Sequence, residues 1–445
     1  MSAQPDASYI DEIVKTLFMV LLLGTAALLI GKRTRISYVP IFIILGIVFG
    51  PVLHVINRDI ARHLFDYVRV FGLVIILFAE GHTLRWAILR KHLTTIGTLD
   101  TLSLVVTAII AGLAFSYVFH LPFLAGFLFG AIISATDPAT LIPLFHQYRV
   151  REDIKTILVT ESIFNDPLGI VLTSVAVALI LPQAPSAKFL EMFAKYMPMY
   201  GAATVYFLYE MFVSIALGAA FGYIGYWIIR GLKFDKSDEI FLFSLGLAFI
   251  GFYVGELIHA SGYLVATTIG IVLGNHHVFF KEPPEVWGRM RSVIDTEMHF
   301  NEILAIFSIV SIFVLLGASV NLQILAQTFL YAAIVALVVI FVARPVAALP
   351  IIPIGRWSWK EYLFMSLEGP RGVVPSALAP LPLSLGLAYH VPQLIQWGEI
   401  ILSTTLVTVL LSIIIETLWV PYLRKALLSE GEEAEQPAVE EETTF

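Results

Sequence analysis

The sequence predicts an all-α polytopic membrane protein of thirteen transmembrane helices, N-terminus outside and C-terminus inside. Composition, the recurrence of long apolar runs, and the placement of Lys and Arg lead to that class. Of 445 residues, 58% are hydrophobic and 14% charged, with a mean hydropathy of +0.86. A soluble chain is about 45–50% apolar and about 25% charged. Disorder and collagen-like repeats are excluded, and the absence of cysteine excludes a disulfide scaffold. The length suits two or three soluble domains, but apolar runs of about 20 residues recur along it.

Taken in order, the spans read 11–31, 38–56, 66–84, 94–118, 122–146, 154–182, 204–230, 238–258, 262–275, 301–319, 323–349, 360–383 and 395–423. The ninth is short, and the fifth and twelfth are interrupted by Pro and Gly. The chain opens with Asp6, Asp11 and Glu12 rather than a positive segment, so no signal peptide is expected. Residues 186–197 place Phe189, Phe193, Tyr196 and Met197 on one face, a short helix on the outer membrane surface. Residues 284–299, with Trp287, Met290 and Ile294 on one side, read as a cytoplasmic connector.

Orientation follows from the basic residues. Nineteen fall in one set of connections and four (Arg58, Arg62, Lys188, Lys195) in the other, which places the first set inside. The net charge of −7 is concentrated at the end of the chain. Seven glutamates occupy the last sixteen residues, from Glu430 to Glu442, and the remainder balances at 27 acidic against 27 basic. Residues 426–445 are expected to be an acidic, disordered cytoplasmic tail, and no basic surface is left for nucleic acid.

An internal repeat is visible. Ser37, Gly46, Ile47, Val48 and Gly50 of the second span align with Ser261, Gly270, Ile271, Val272 and Gly274 of the ninth. The two spans are seven apart and so cross in opposite directions, as inverted-topology repeats do. Such repeats place a transporter's substrate near the midplane between discontinuous helices. The same offset pairs the fifth span with the twelfth, the two broken ones.

Polar groups at membrane depth cluster in these segments. Span 5 carries Thr136-Asp137-Pro138, and Pro138 disfavours helix at Asp137, so the backbone opens there. Opened backbone survives in a bilayer only inside protein or against a cavity. Span 6 carries Glu161-Ser162-Ile163-Phe164-Asn165-Asp166. Glu161 and Asn165 are i,i+4 neighbours, as are Ser162 and Asp166, which makes two adjacent polar stripes. Each intramembrane acid costs about 2.5–3.5 kcal/mol on insertion scales, so the set demands a reason. Arg344 in span 11 is permanently charged and needs an acceptor, which Glu161 and the Asn165 amide oxygen would supply. A purely structural pairing explains Glu161 with Arg344 but leaves Asp137 and Asp166 without a cation. Span 12 carries Glu368-Gly369-Pro370-Arg371-Gly372, where Arg371 either neutralises a half-helix C-terminus or pairs with Glu368. Glu80 in span 3 either reaches an inner funnel or is a wet interfacial acid. Glu256, His259, His276, His277 and His299 read as interfacial residues.

Asp137, Asp166, Ser162 and a main-chain carbonyl near Thr136 form an all-oxygen donor set. Hard cations take oxygen, whereas zinc or copper would call for His or Cys, so an alkali cation fits. Protons compete for like-charged carboxylates in a partly desolvated pocket, and the pair titrates as one unit. The expectation is that the same aspartates bind a cation or a proton in turn. Sodium is then cargo, and no cofactor is expected.

These motifs resemble the NhaP-type sodium/proton antiporters of the cation/proton antiporter superfamily, archaeal members above all, across nearly the whole chain. The marks are Thr136-Asp137-Pro138, the Glu161-to-Asp166 string, Arg344, and Gly369-Pro370-Arg371-Gly372. The resemblance implies that Asp166 carries both ion and proton, and that Asp137, Ser162 and the Thr136 carbonyl complete the shell. It further implies that Asn165 is clamped by Glu161 and Arg344, and that Glu80 lines the inner path. It implies a homodimer in the cell membrane whose transmembrane domain spans 1–425. Within it, a transport bundle covers about 94–182 and 323–423, and a dimerisation module about 11–84 and 204–319. Asn165, together with an Arg on span 11, is similar to electroneutral one-for-one exchangers. Pro370 departs from relatives with a bulky aliphatic residue there, which bears on Arg371.

Rival readings are a potassium/proton antiporter, a transporter of another solute, a cation channel, and an intramembrane aspartyl protease using Asp137 and Asp166. The protease reading leaves Ser162, Asn165 and the repeat unexplained. No H-E-x-x-H, P-loop or G-x-G-x-x-G motif supports another enzyme class.

Overall fold

A computed structural model of the chain describes residues 7–34, 37–232, 236–280 and 284–428. The expected acidic tail therefore lies almost wholly outside the described residues. Among the described residues every regular element is helical and there is no β-strand.

Each of the thirteen apolar segments is helical. Span 1 is Ala7–Thr34, span 2 Tyr38–Ile47 with a π turn at Val48–Val52, and span 3 Arg58–Thr83. Span 4 runs through Leu93–Thr98, a π turn at Leu99–Ser103, and Leu104–Phe119. Span 5 is two helices, Phe123–Ile133 and Pro138–Gln147. Span 6 is Glu152–Ile180, span 7 Met199–Leu232, span 8 Ser237–Leu257 and span 9 Gly262–Gly274. Span 10 belongs to Pro284–Ser319. Span 11 runs through Leu322–Val338, a π turn at Val339–Ala343, and Arg344–Ala348. Span 12 breaks between Trp359–Leu367 and Val373–Leu378 and continues as Leu381–Ala388; span 13 is Pro392–Leu427.

Two connectors differ from the sequence reading. Residues 284–299 are the first turns of the span 10 helix rather than a separate linker. The helix Pro185–Ala194 exists, but Phe189 turns inward against Tyr206, Tyr209 and His259 of the protein. Of the four residues read on the outer face, Tyr196 alone is exposed, at 85%.

Span 6 is central. Its apolar stretch is 78% buried, against 33% for span 1 and 28% for span 11. That burial matters because span 6 carries the acidic string, and a helix surrounded by protein can offer each polar side chain a partner that lipid cannot. At the opposite end of the molecule, Arg62 of span 3 donates to Glu399 of span 13 at 2.7 Å. The Arg58 Nε donates to the Ser319 carbonyl at 3.0 Å. These contacts tie spans 3, 10 and 13 together.

Candidate functional site

Span 5 opens where its proline requires, over residues 134–137, and the exposed main-chain groups are met by protein. The Thr136 N–H donates to Asn165 Oδ1 at 2.9 Å. The Asn165 amide nitrogen donates in turn to Thr136 Oγ1 at 2.7 Å and Glu161 Oε1 at 2.9 Å. The Thr136 and Ser162 hydroxyls lie 2.8 Å apart. Asp137 caps the second half-helix, its Oδ2 accepting from the Thr140 N–H at 3.1 Å and hydroxyl at 2.6 Å.

Span 12 opens over residues 368–372 and crosses the first break. The Asp137 N–H donates to the Pro370 carbonyl at 2.9 Å, so the two interruptions meet main chain to main chain. Arg371 reaches back, its Nη1 donating to the Ser134 carbonyl at 2.6 Å and the Ala135 carbonyl at 3.0 Å. Those carbonyls end the first half of span 5, where the helix dipole concentrates negative charge. Of the two roles read for Arg371, neutralising a half-helix C-terminus is the one present. Pairing with Glu368 is not: neither Glu368 carboxylate oxygen has a hydrogen-bond partner among the described residues. Pro370 leaves Arg371 in place and contributes its carbonyl to the crossing. At Gly372 the chain passes so close that an added Cβ would overlap Asp137 Cβ and Cγ.

Arg344 follows a π turn, a distortion common at functional positions, and grips Glu161 with both terminal nitrogens, at 2.5 and 2.8 Å. The expected second acceptor is corrected. The Asn165 amide oxygen serves the Thr136 N–H instead, because the opened backbone leaves that donor bare. Arg344 thus holds Asn165 through Glu161 alone.

Asp137 and Asp166 are 1% and 2% exposed, and each keeps Oδ1 without a hydrogen-bond partner among the described residues. Pro167 removes the N–H that would have bonded the Ile163 carbonyl, loosening span 6 beside Asp166. The charged groups acting on Asp166 are Glu80, Asp137, Glu161 and Arg371. Glu80 is therefore within electrostatic range of the aspartates.

Several charged residues at depth escaped the sequence reading. Asp100 lies in the π turn of span 4, within electrostatic range of Glu161 and Arg344. Glu416 of span 13 accepts from the Gly369 N–H at 3.3 Å. Its i,i+4 spacing from Ser412 repeats the Ser162–Asp166 stripe and is a signal available in the sequence. His276, read as interfacial, is buried against Tyr226. His82 is buried too, 3.5 Å from Glu297.

Two interrupted helices crossing within an all-helical membrane body, with acids at the crossing, define the architecture of a secondary transporter. Residues 18–426 match the family model described as the transmembrane sodium/hydrogen exchanger, and the chain belongs to that family. It is 34% identical to a Na(+)/H(+) antiporter 1 of Methanocaldococcus jannaschii, with 93% of this chain and 95% of that one covered. A probable Na(+)/H(+) antiporter 2 of the same organism is also 34% identical, over 90% and 93%. A K(+)/H(+) antiporter NhaP of Alkalimonas amylolytica is 28% identical, over 83% of this chain and 60% of that one. The solved structure of the sodium proton antiporter MjNhaP1 at pH 8 superposes with a TM-score of 0.82. It is 32% identical, over 95% of this chain and all of that one.

Proposed function

We propose that this chain exchanges Na+ (or Li+) for H+ across the cell membrane, one for one and electroneutrally, by alternating access. The two ions take turns on Asp137 and Asp166, with Ser162 and Thr136 supplying further oxygens. Glu161, Asn165 and Arg344 hold the opened backbone, and Glu80 lines the path from inside. One observation carries the reading: two buried carboxylates with unpartnered oxygens stand where the broken helices cross, beside the Thr136 and Ser162 hydroxyls. Sodium is preferred to potassium because the relatives named for sodium are the more similar and more fully covered. Spans 4–6 and 11–13 move as the transport bundle against the remaining spans, which form the homodimer contact. The N-terminus is external.

Three measurements test the proposal. Proteoliposomes with an imposed pH gradient, clamped by potassium and valinomycin, are expected to lose the gradient on adding Na+ or Li+ and to pass no net current. A sodium-independent conductance defeats the exchange reading.

Competition also fixes a pH dependence. Below the titration of the pair, protons occupy the carboxylates, so the apparent KM for Na+ rises as pH falls. It approaches about tenfold per pH unit if one proton excludes one cation. A KM indifferent to pH contradicts shared carboxylates.

At the crossing, Gly372→Ala is expected to push Asp137 aside and raise the Na+ KM by roughly tenfold or more, the cost of overpacking being about 1–3 kcal/mol. Unchanged KM in a folded variant removes Asp137 from the ion shell.

A further inference from the structure

Ser412 and Glu416 of span 13 share one helix face, at the spacing of Ser162 and Asp166 on span 6. The seven-span offset that pairs spans 5 and 12 also pairs 6 and 13, and each stripe docks onto the break of the span before it. On span 6, Asn165 and Ser162 hold Thr136. On span 13, Glu416 Oε1 accepts from the Gly369 N–H at 3.3 Å and Ser412 Oγ from the Arg371 N–H at 3.0 Å. Between those two anchors sits Pro370, whose carbonyl receives the Asp137 N–H. The anchored Arg371 holds the carbonyls of Ser134 and Ala135. Any shift of residues 369–371 is therefore passed to the stretch that carries Asp137.

A second acid, Glu368, lies within electrostatic range of Glu416. Glu368 and Glu416 are 0% and 1% exposed, and both oxygens of Glu368 and Oε2 of Glu416 have no hydrogen-bond partner among the described residues. The charged groups acting on Glu416 are Arg371, Arg344 and Asp137, and Glu416 acts on Glu368. Arg344 is engaged with Glu161 and Arg371 with carbonyls.

We propose that Ser412 and Glu416 are positioning residues for Asp137, acting through the main chain of residues 369–371. This rests on the exchange reading for its transport readout. Glu416 contributes an acceptor oxygen, so a neutral amide replaces it.

The test compares Glu416→Gln, Glu416→Leu and Ser412→Ala in proteoliposomes, with amide hydrogen exchange of segments 132–140 and 366–376. Glu416→Gln is expected to keep KM for Na+ within about twofold, while Glu416→Leu and Ser412→Ala raise it roughly tenfold, as a lost buried hydrogen bond does. Turnover changes less than KM, the pH profile of KM shifts, and exchange speeds up in 132–140, to which neither side chain is hydrogen-bonded among the described residues. A folded Glu416→Leu or Ser412→Ala with wild-type KM and wild-type exchange in 132–140 overturns the proposal. So does a Glu416→Gln that behaves like Glu416→Leu. If Glu416→Leu does not fold, Ser412→Ala decides alone. Absence of cation-driven proton flux in the wild type would defeat the exchange reading, and exchange in 132–140 would still judge the positioning.

Discussion

Asp166→Asn is expected to fold and to carry no sodium-driven proton flux in proteoliposomes. The side chain is 2% exposed with an unpartnered Oδ1, so an amide of equal size fits the same space. What it cannot do is bind a proton at cellular pH or lend a negative charge to a cation. Both half-reactions fail together, so the loss should be complete rather than a shift in KM. A variant that exchanges at the wild-type rate would remove Asp166 from the ion and proton path. Sodium-dependent thermal stabilisation provides a second readout, and it should vanish with the flux.

The second large effect concerns the clamp. Glu161 and Arg344 form a two-pronged pair, fully enclosed in the protein. Removing one partner strands a buried charge, at about 3–5 kcal/mol. Arg344→Leu or Glu161→Leu alone is therefore expected to lower the melting temperature sharply and to release Asn165, with transport lost. The pair Glu161→Gln with Arg344→Met carries no stranded charge and is expected to recover most of the stability. The glutamine side chain introduced by Glu161→Gln still offers an oxygen to the Asn165 amide. If the double variant is as unstable as the single ones, the pair contributes more than charge cancellation. Wild-type stability in either Leu variant would show that the clamp does not hold the fold.

Much of this is legible from residue order. Pro138 announces the break at Asp137, and the Glu161–Asn165 and Ser162–Asp166 stripes follow from helical spacing. Arg344 needs an anion, and in a bilayer the choice of partner is short. The inverse holds for the second break. The sequence offers Arg371 either a half-helix C-terminus or Glu368 and leaves the choice open, since the carbonyls it holds lie 237 and 236 residues away in sequence. Asp100 passes unnoticed because a single acid between Ile96 and Leu104 carries no local pattern, and Glu416 offers only its i,i+4 spacing from Ser412. The Asn165 amide oxygen goes to the Thr136 N–H rather than to Arg344. A sequence shows which side chains want partners and hides which main-chain donors a break will expose.

Residue order alone determined the membrane class, the thirteen apolar segments, the two interruptions and the acids of spans 5 and 6, because hydropathy, proline stereochemistry and charge burial act locally. Tertiary structure alone decided that Pro370 meets Asp137, that Arg371 closes the first half of span 5, and that span 13 braces the crossing. Those contacts are made by main-chain N–H and C=O groups, which nearly every residue carries alike, so only folding selects which of them meet.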